Sequence, residues 1–145
     1  MRRRKGAPGT TPRMTPQALL READLARRLA YAPYSDFPVG AALLTRSGRV
    51  IHGCNVENAS YGLTVCAERT ALWKALTEGE RAFTAIAVTA RQGHGAPPCG
   101  ACRQVLYEFA PDLWVYWRDG RGRILRRRLG ALLALAFELD PRRPR

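Results

Sequence analysis

Apolar and polar positions follow two rhythms along this chain. After Thr15 and Pro16, the residues Leu19, Ala23, Ala26 and Ala30 recur at three- and four-residue steps, with Arg21, Asp24, Arg27 and Arg28 between them. That spacing predicts a first helix of about four turns. The threonine hydroxyl caps free amides, and proline supplies the first helical dihedral at no hydrogen-bond cost. Residues 39–45 and 49–54 read as paired strands around Ser47-Gly48. Residues 65–76 have helical character and end before Gly79, and residues 83–90 form a short apolar strand. A second helix-forming stretch, 100–109, stops before Pro111; strands follow at 113–117 and, after Asp119-Gly120, through 125. The apolar segment 129–137 has no proline and reads as a last helix.

This order implies an α/β fold of three α-β-α layers, with a mixed sheet of about five strands. Two segments interrupt the rhythm. Residues 31–38, YAPYSDFP, hold three aromatics and two prolines, so they form a rigid loop that packs on the core or lines a pocket. Residues 55–62 are a polar loop.

The 145 residues suit one domain, placed at 15–137, with basic tails at 1–14 and 138–145. Net charge is +12, from 24 basic and 12 acidic residues. Residues 1–13 hold five cations and residues 142–145 three, which leaves 16 basic against 12 acidic in between. Charge of this kind attracts polyanions, yet nucleic-acid binding also needs a groove or stacking platform. The run from Arg118 to Arg128, six arginines and one aspartate, reads first as a solvated hairpin. No stretch approaches the roughly 18 apolar residues of a membrane span, and the first 20 residues lack a signal-peptide core. The expectation is a soluble, cytoplasmic protein with no membrane partner.

The cysteines change the picture. Cys66-Ala67-Glu68 and, 33 residues on, Pro97-Pro98-Cys99-Gly100-Ala101-Cys102 both fall where a loop turns into a helix. Three thiolates suit zinc, and three protein ligands leave a fourth tetrahedral position for water. Cys54, His52 and His94 are available as a fourth ligand, so counting alone leaves a closed structural site open. Glu68, two residues from a ligand, is near enough to exchange protons with such a water. That geometry serves hydrolysis of an amino-substituted ring. Arg69 donating to thiolate sulfur would restore acidity to a zinc weakened by three negative ligands. Asn55 and Glu57 offer a neutral donor and a charged acceptor suited to sugar hydroxyls, with a loop-capping role as the competing reading. An acidic clamp repels phosphate, which favours nucleosides over nucleotides.

The stretches 34-YSDFPVGAAL-43, 53-GCNVENASYGLTVCAERTAL-72 and 97-PPCGACRQVLYEF-109 resemble the homotetrameric, three-cysteine class of cytidine deaminases. The resemblance covers roughly residues 15 to 137. It implies a zinc enzyme, with one Zn2+ per subunit, that converts cytidine and 2'-deoxycytidine to uridine and 2'-deoxyuridine in pyrimidine salvage, releasing ammonia. It also implies zinc ligands at Cys66, Cys99 and Cys102, a proton shuttle at Glu68 and a thiolate-bonding arginine at Arg69. By the same resemblance Asn55 and Glu57 hold the ribose, Phe37 stacks near the base and the backbone of Ala67 meets the pyrimidine carbonyl. Tyr61 and Phe137 would enter a neighbouring subunit's pocket, making a homotetramer with shared sites.

The chain departs from the family pattern at 132-LLALAF-137, where the family's LLP becomes Leu132-Leu133-Ala134. That loss bears on where Phe137 lies. Cys54 matches no ligand position and reads as a buried thiol. Three rival functions remain: a deaminase of another aminopyrimidine nucleoside, a deaminase of single-stranded nucleic acid, and a structural-zinc protein that binds nucleic acid.

Overall fold

A computed structural model of the chain describes residues 13–91 and 94–139. Of the expected tails at 1–14 and 138–145, residues 1–12 and 140–145 lie outside the described residues. The elements run α1 (Pro16–Arg27), β1 (Gly40–Thr45), β2 (Val50–Cys54), α2 (Ala67–Thr77), β3 (Phe83–Thr89), α3 (Gly100–Phe109), β4 (Trp114–Arg118), β5 (Ile124–Arg128) and α4 (Leu129–Leu132), with one 3-10 turn at Tyr61–Leu63. This is the order the hydrophobic pattern predicts.

The strands form one sheet in the order β2-β1-β3-β4-β5. β1 pairs antiparallel with β2 and β3, β3 pairs parallel with β4, and β4 pairs antiparallel with β5. The parallel step needs a crossover, and α3 supplies it. Alternation along the strands sends side chains to two cores. Ala42, Ala85 and Ala87 meet Leu19, Leu20 and Ala23 of α1 on one side. Leu43, Ile51, Ile86, Val88 and Val115 meet Ala71 and Leu72 of α2 and Leu106 of α3 on the other. The result is the expected three-layer α-β-α arrangement.

Two glycines let helices lie directly on strands. A Cβ on Gly40 would collide with the Ala23 carbonyl and the Arg27 amide of α1. A Cβ on Gly53 would collide with the Ala67 carbonyl and the Ala71 amide of α2. The second contact sets the height of the α2 N-terminus above β2.

Three boundaries differ from the sequence expectation, one of them β5, which runs Ile124–Arg128 past the expected end at 125. α1 starts as predicted, with Thr15 Oγ1 accepting from the Ala18 amide at 3.1 Å, but its 12 residues stop at Arg27, short of Ala30. The final helix is four residues long, not nine: Leu133 leaves helical dihedrals at φ −135°, and Leu135 sits at φ +51°. The Leu132 carbonyl accepts from Arg103 Nη1 at 2.7 Å, and Gln104 takes the backbone of Phe137. Side chains of α3 thus replace the hydrogen bonds that another helical turn would supply.

Candidate zinc centre and active site

Cys66 and Cys99 are the N-caps of α2 and α3, both with extended backbone, and Cys102 lies in the first turn of α3. Folding brings the three Sγ atoms within 4.8 Å of one another, with Cys66 and Cys99 3.9 Å apart. Both helices direct their positive ends and unpaired amides at this point, which stabilises thiolate. Among the described residues no fourth cysteine, histidine or carboxylate joins the cluster. Cys54 donates to the Leu29 carbonyl at 3.4 Å, His52 pairs with Glu22 at 2.7 Å, and His94 lies edge-on to the Phe37 ring with centroids 5.4 Å apart. The three candidates for a closing ligand are thus engaged elsewhere.

Charge within the cluster fits a cation. Hydrogen bonding from Cys102, then from Arg69, pulls the Cys66 thiol down to about 5 against the opposing effect of burial. The same contact with Cys66, then burial, then the Glu68 charge push Cys102 strongly up. Thiolates this close repel one another, and a bound cation would let all three ionise together. Arg69 Nη2 donates to Cys66 Sγ at 3.3 Å.

Glu68 occupies the first turn of α2 and is 4% exposed. Burial pushes its carboxyl up to about 7, and the neighbouring Cys66 charge acts in the same direction. A carboxyl at that value both takes and returns protons near neutrality.

The loop residues cross-link the site's rim. The Glu57 Oε2 accepts from the amides of Tyr34 at 2.8 Å and Ser35 at 3.2 Å, and its Oε1 accepts from the Ser35 hydroxyl. The Ser35 hydroxyl, then the two amides, hold the Glu57 carboxyl below its ordinary 4.5 against burial. Asn55 Oδ1 accepts from the Val39 amide at 2.8 Å, and its Nδ2 donates to the Phe37 carbonyl at 2.9 Å. Both residues read as sugar ligands therefore fasten the 31–39 loop, each with hydrogen-bonding capacity left over: one N–H on Asn55 and a lone pair on Glu57. In the 55–62 loop, Asn58 Oδ1 accepts from the Ser60 amide at 2.8 Å.

Phe37 is half-buried at the end of that loop. Ala67 is buried as the first residue of α2, so its amide is among the donors a helix start leaves unpaired. Tyr61 is exposed, packs edge-on to Tyr34 with centroids 5.8 Å apart, and lines a cavity of about 200 Å³ with Ser35, Glu57 and Thr64. Phe137 is exposed, and its backbone exchanges hydrogen bonds with the Gln104 side chain at 2.9 and 3.3 Å.

Three residues of this frame escape a reading of the sequence. Ser35 holds Glu57. Arg103 Nε donates to the Pro98 carbonyl at 2.7 Å, bracing the loop before Cys99, while Gln104 fixes the segment carrying Phe137. Their one signal is adjacency: Arg103 and Gln104 directly follow Cys102.

The pattern of the cytidine and deoxycytidylate deaminase zinc-binding region matches residues 14–118. The chain belongs to that family. It is 55% identical over 128 residues to the cytidine deaminase of Halalkalibacterium halodurans, across 88% of this chain and 97% of that one. The crystal structure of cytidine deaminase from Burkholderia pseudomallei matches it with a TM-score of 0.81 at 54% identity, covering 86% of this chain and 100% of that chain. The cytidine deaminase structure from Mycobacterium tuberculosis gives 0.74 at 46% identity, over 85% and 97% of the two chains. The family is one of zinc-dependent deaminases, and the cluster of Cys66, Cys99 and Cys102 fits one Zn2+ per subunit. No helix among the described residues is long and apolar enough to cross a membrane.

Proposed function

We propose that this deaminase hydrolyses free cytidine and 2'-deoxycytidine to uridine and 2'-deoxyuridine, releasing ammonia, in pyrimidine salvage in the cytoplasm. The observation that carries the reading is a buried carboxyl, Glu68, beside a three-thiol cluster with no fourth protein donor among the described residues. Relatives named cytidine deaminase support the substrate.

Zinc held by Cys66, Cys99 and Cys102 supplies the Lewis acidity that makes water nucleophilic near neutrality. Glu68 takes a proton from the attacking water and delivers one to N3 of the ring. A new C4–O bond forms, and Glu68 then takes the proton of that C4 hydroxyl and passes it to the departing amine as the C4–N4 bond breaks and the C4 carbonyl forms. The balance is cytidine plus water to uridine plus ammonia. Arg69 draws charge from Cys66, and Phe37 packs near the base. Asn55 and Glu57 take the ribose hydroxyls through their remaining N–H and lone pair. Ala67 offers its amide to the pyrimidine carbonyl. Tyr61 and Phe137, both exposed, complete a neighbouring subunit's pocket in a homotetramer. The single domain spans 15–137 between basic tails.

Conversion of cytidine by the zinc-loaded protein, followed by ammonia release, tests the reading. Inactivity on cytidine and deoxycytidine, with activity on another aminopyrimidine nucleoside or on cytosine-containing oligonucleotides, would replace it with one of the rivals.

A further inference from the structure

Away from the thiols, the α1 side of the sheet concentrates a different chemistry. On that side Trp114, Tyr116 and Arg118 of β4 stand opposite Arg128, Arg126 and Ile124 of β5. α1 covers β1 and β3 there and leaves β4 and β5 incompletely roofed, so Trp114, Tyr116 and Ile124 remain half-buried. Arginines finish the roof. The Arg128 guanidinium lies 3.9 Å from the Trp114 ring centroid and that of Arg126 lies 5.2 Å away. Neither has a carboxylate partner among the described residues.

The same face runs past Arg118 into a cavity of about 770 Å³ whose wall includes Arg27, Arg28, Arg91, Arg118 and Arg121. Its two acids are already engaged. Asp24 pairs with Arg118 at 3.2 Å and Arg27 at 3.6 Å, and Asp119 binds Arg123 at 2.7 Å. Arg28 and Arg121 are exposed and have no carboxylate partner among the described residues. Thr89 Oγ1, a buried polar atom of a wall residue, lacks a hydrogen-bond partner, and Arg27 Nε has only its 3.6 Å ion pair with Asp24. The chain enters this face at Met14, which packs in the same cluster as Trp114, and the 13 residues before it carry five cations and no carboxylate.

Arg28, Arg121, Arg126 and Arg128, gathered with no carboxylate partner among the described residues, repel one another unless an anion joins them. The five residues of β4 alone span about 15 Å, too long for one phosphate. A positively charged groove that continues into arginine planes stacked on an indole is how proteins hold a single strand: the groove follows the backbone, and bases stack on the planar groups. A duplex hides its base faces and gains nothing from that platform.

We propose that this face binds single-stranded nucleic acid, with phosphates in the groove of Arg27, Arg28, Arg118 and Arg121 and bases against the Trp114–Arg126–Arg128 stack. The strand lies across the sheet from α2 and α3, so it is held and not deaminated. This inference does not depend on which nucleoside the thiol site accepts.

Anisotropy of a labelled oligothymidylate of about 20 nucleotides, longer than the ~4–16-nucleotide sites usual for such grooves, provides the test. Thymine has no exocyclic amine, so the zinc site contributes nothing to the signal. The full-length protein should bind with a log–log salt slope of about −3, as for four neutralised phosphates. The double substitution R126Q/R128Q, which removes the stacking planes, should weaken binding at least tenfold with little effect on the slope and with cytidine turnover unchanged. R28Q/R121Q should weaken binding through the groove and reduce the slope by about 1.4, for two phosphates, and W114L should weaken binding with little effect on slope. Absence of saturable binding at low salt would overturn the proposal. So would unaltered binding by both double variants, or equal affinity for a duplex or for anionic phospholipid vesicles.

Discussion

The side-chain amide of Asn55 donates to the Phe37 carbonyl at 2.9 Å, while its oxygen accepts from the Val39 amide two residues further on. One residue, proposed to hold the sugar, thus ties the end of β2 to the loop that carries Phe37. Asn55→Ala leaves a backbone amide and a carbonyl without partners, at a cost of about 1–3 kcal/mol each if they stay dry. The expected outcome is a lower thermal midpoint and a KM raised more than kcat falls. A variant with unchanged KM would remove Asn55 from substrate binding.

Glu57 gives a pH-dependent prediction. Its carboxyl is held below its ordinary 4.5 by the Ser35 hydroxyl and then by two amides. A group with a lowered folded value adds stability above its unfolded value and loses it as pH falls through the folded one. Stability from this contact is therefore whole above about 4.5 and disappears in more acidic solution. Ser35→Ala should be less stable than the parent near neutrality, and the gap in unfolding midpoints should narrow as pH drops below that value. A gap that stays constant with pH would show that Ser35 acts by packing alone.

Arg69 and Cys66, 3.3 Å apart, predict a separation of metal binding from rate. Arg69→Gln should retain zinc yet lose about 10–100-fold in activity, because the sulfur keeps more charge for the metal. Chelation should abolish turnover and lower the thermal midpoint, with recovery of both on adding zinc. Metal analysis beside kinetics checks the pair; full activity in the variant would leave Arg69 a structural partner only.

The thiol cluster was legible because each ligand is a punctuation mark as well as a donor. Cys66 and Cys99 end loops and start helices, so local structure and chemistry agree at the same positions. Thr15 and Pro16 were legible for the same reason. The segment 129–137 was not: its apolar run favours a helix, but Arg103 and Gln104 capture its carbonyls and amide from across the fold, and tertiary contact overrides propensity. Nor does spacing tell that Asn55 and Glu57 spend most of their polar atoms on the 31–39 loop.

Exposed Phe137, fixed by Gln104, predicts complementation between subunits. Glu68→Gln should be nearly inactive and Phe137→Ala impaired. Assembled together, the two should turn over cytidine faster than the sum of each alone, since some pockets then combine an intact Glu68 with a neighbour's intact Phe137. Failure of the mixture to recover activity would confine Phe137 to its own subunit.

The bare backbone contact at Gly53 has a consequence for redesign. β2 touches α2 there with no side chain between them, and Asn55 and Glu57 follow on one side of the contact while Cys66 leads into its other side. The span from Asn55 and Glu57 to the thiols is in effect a ruler without an adjustable part. Enlarging the range of accepted nucleosides has to come from reshaping the proline-rich loop above it, because the scaffold underneath offers no slack.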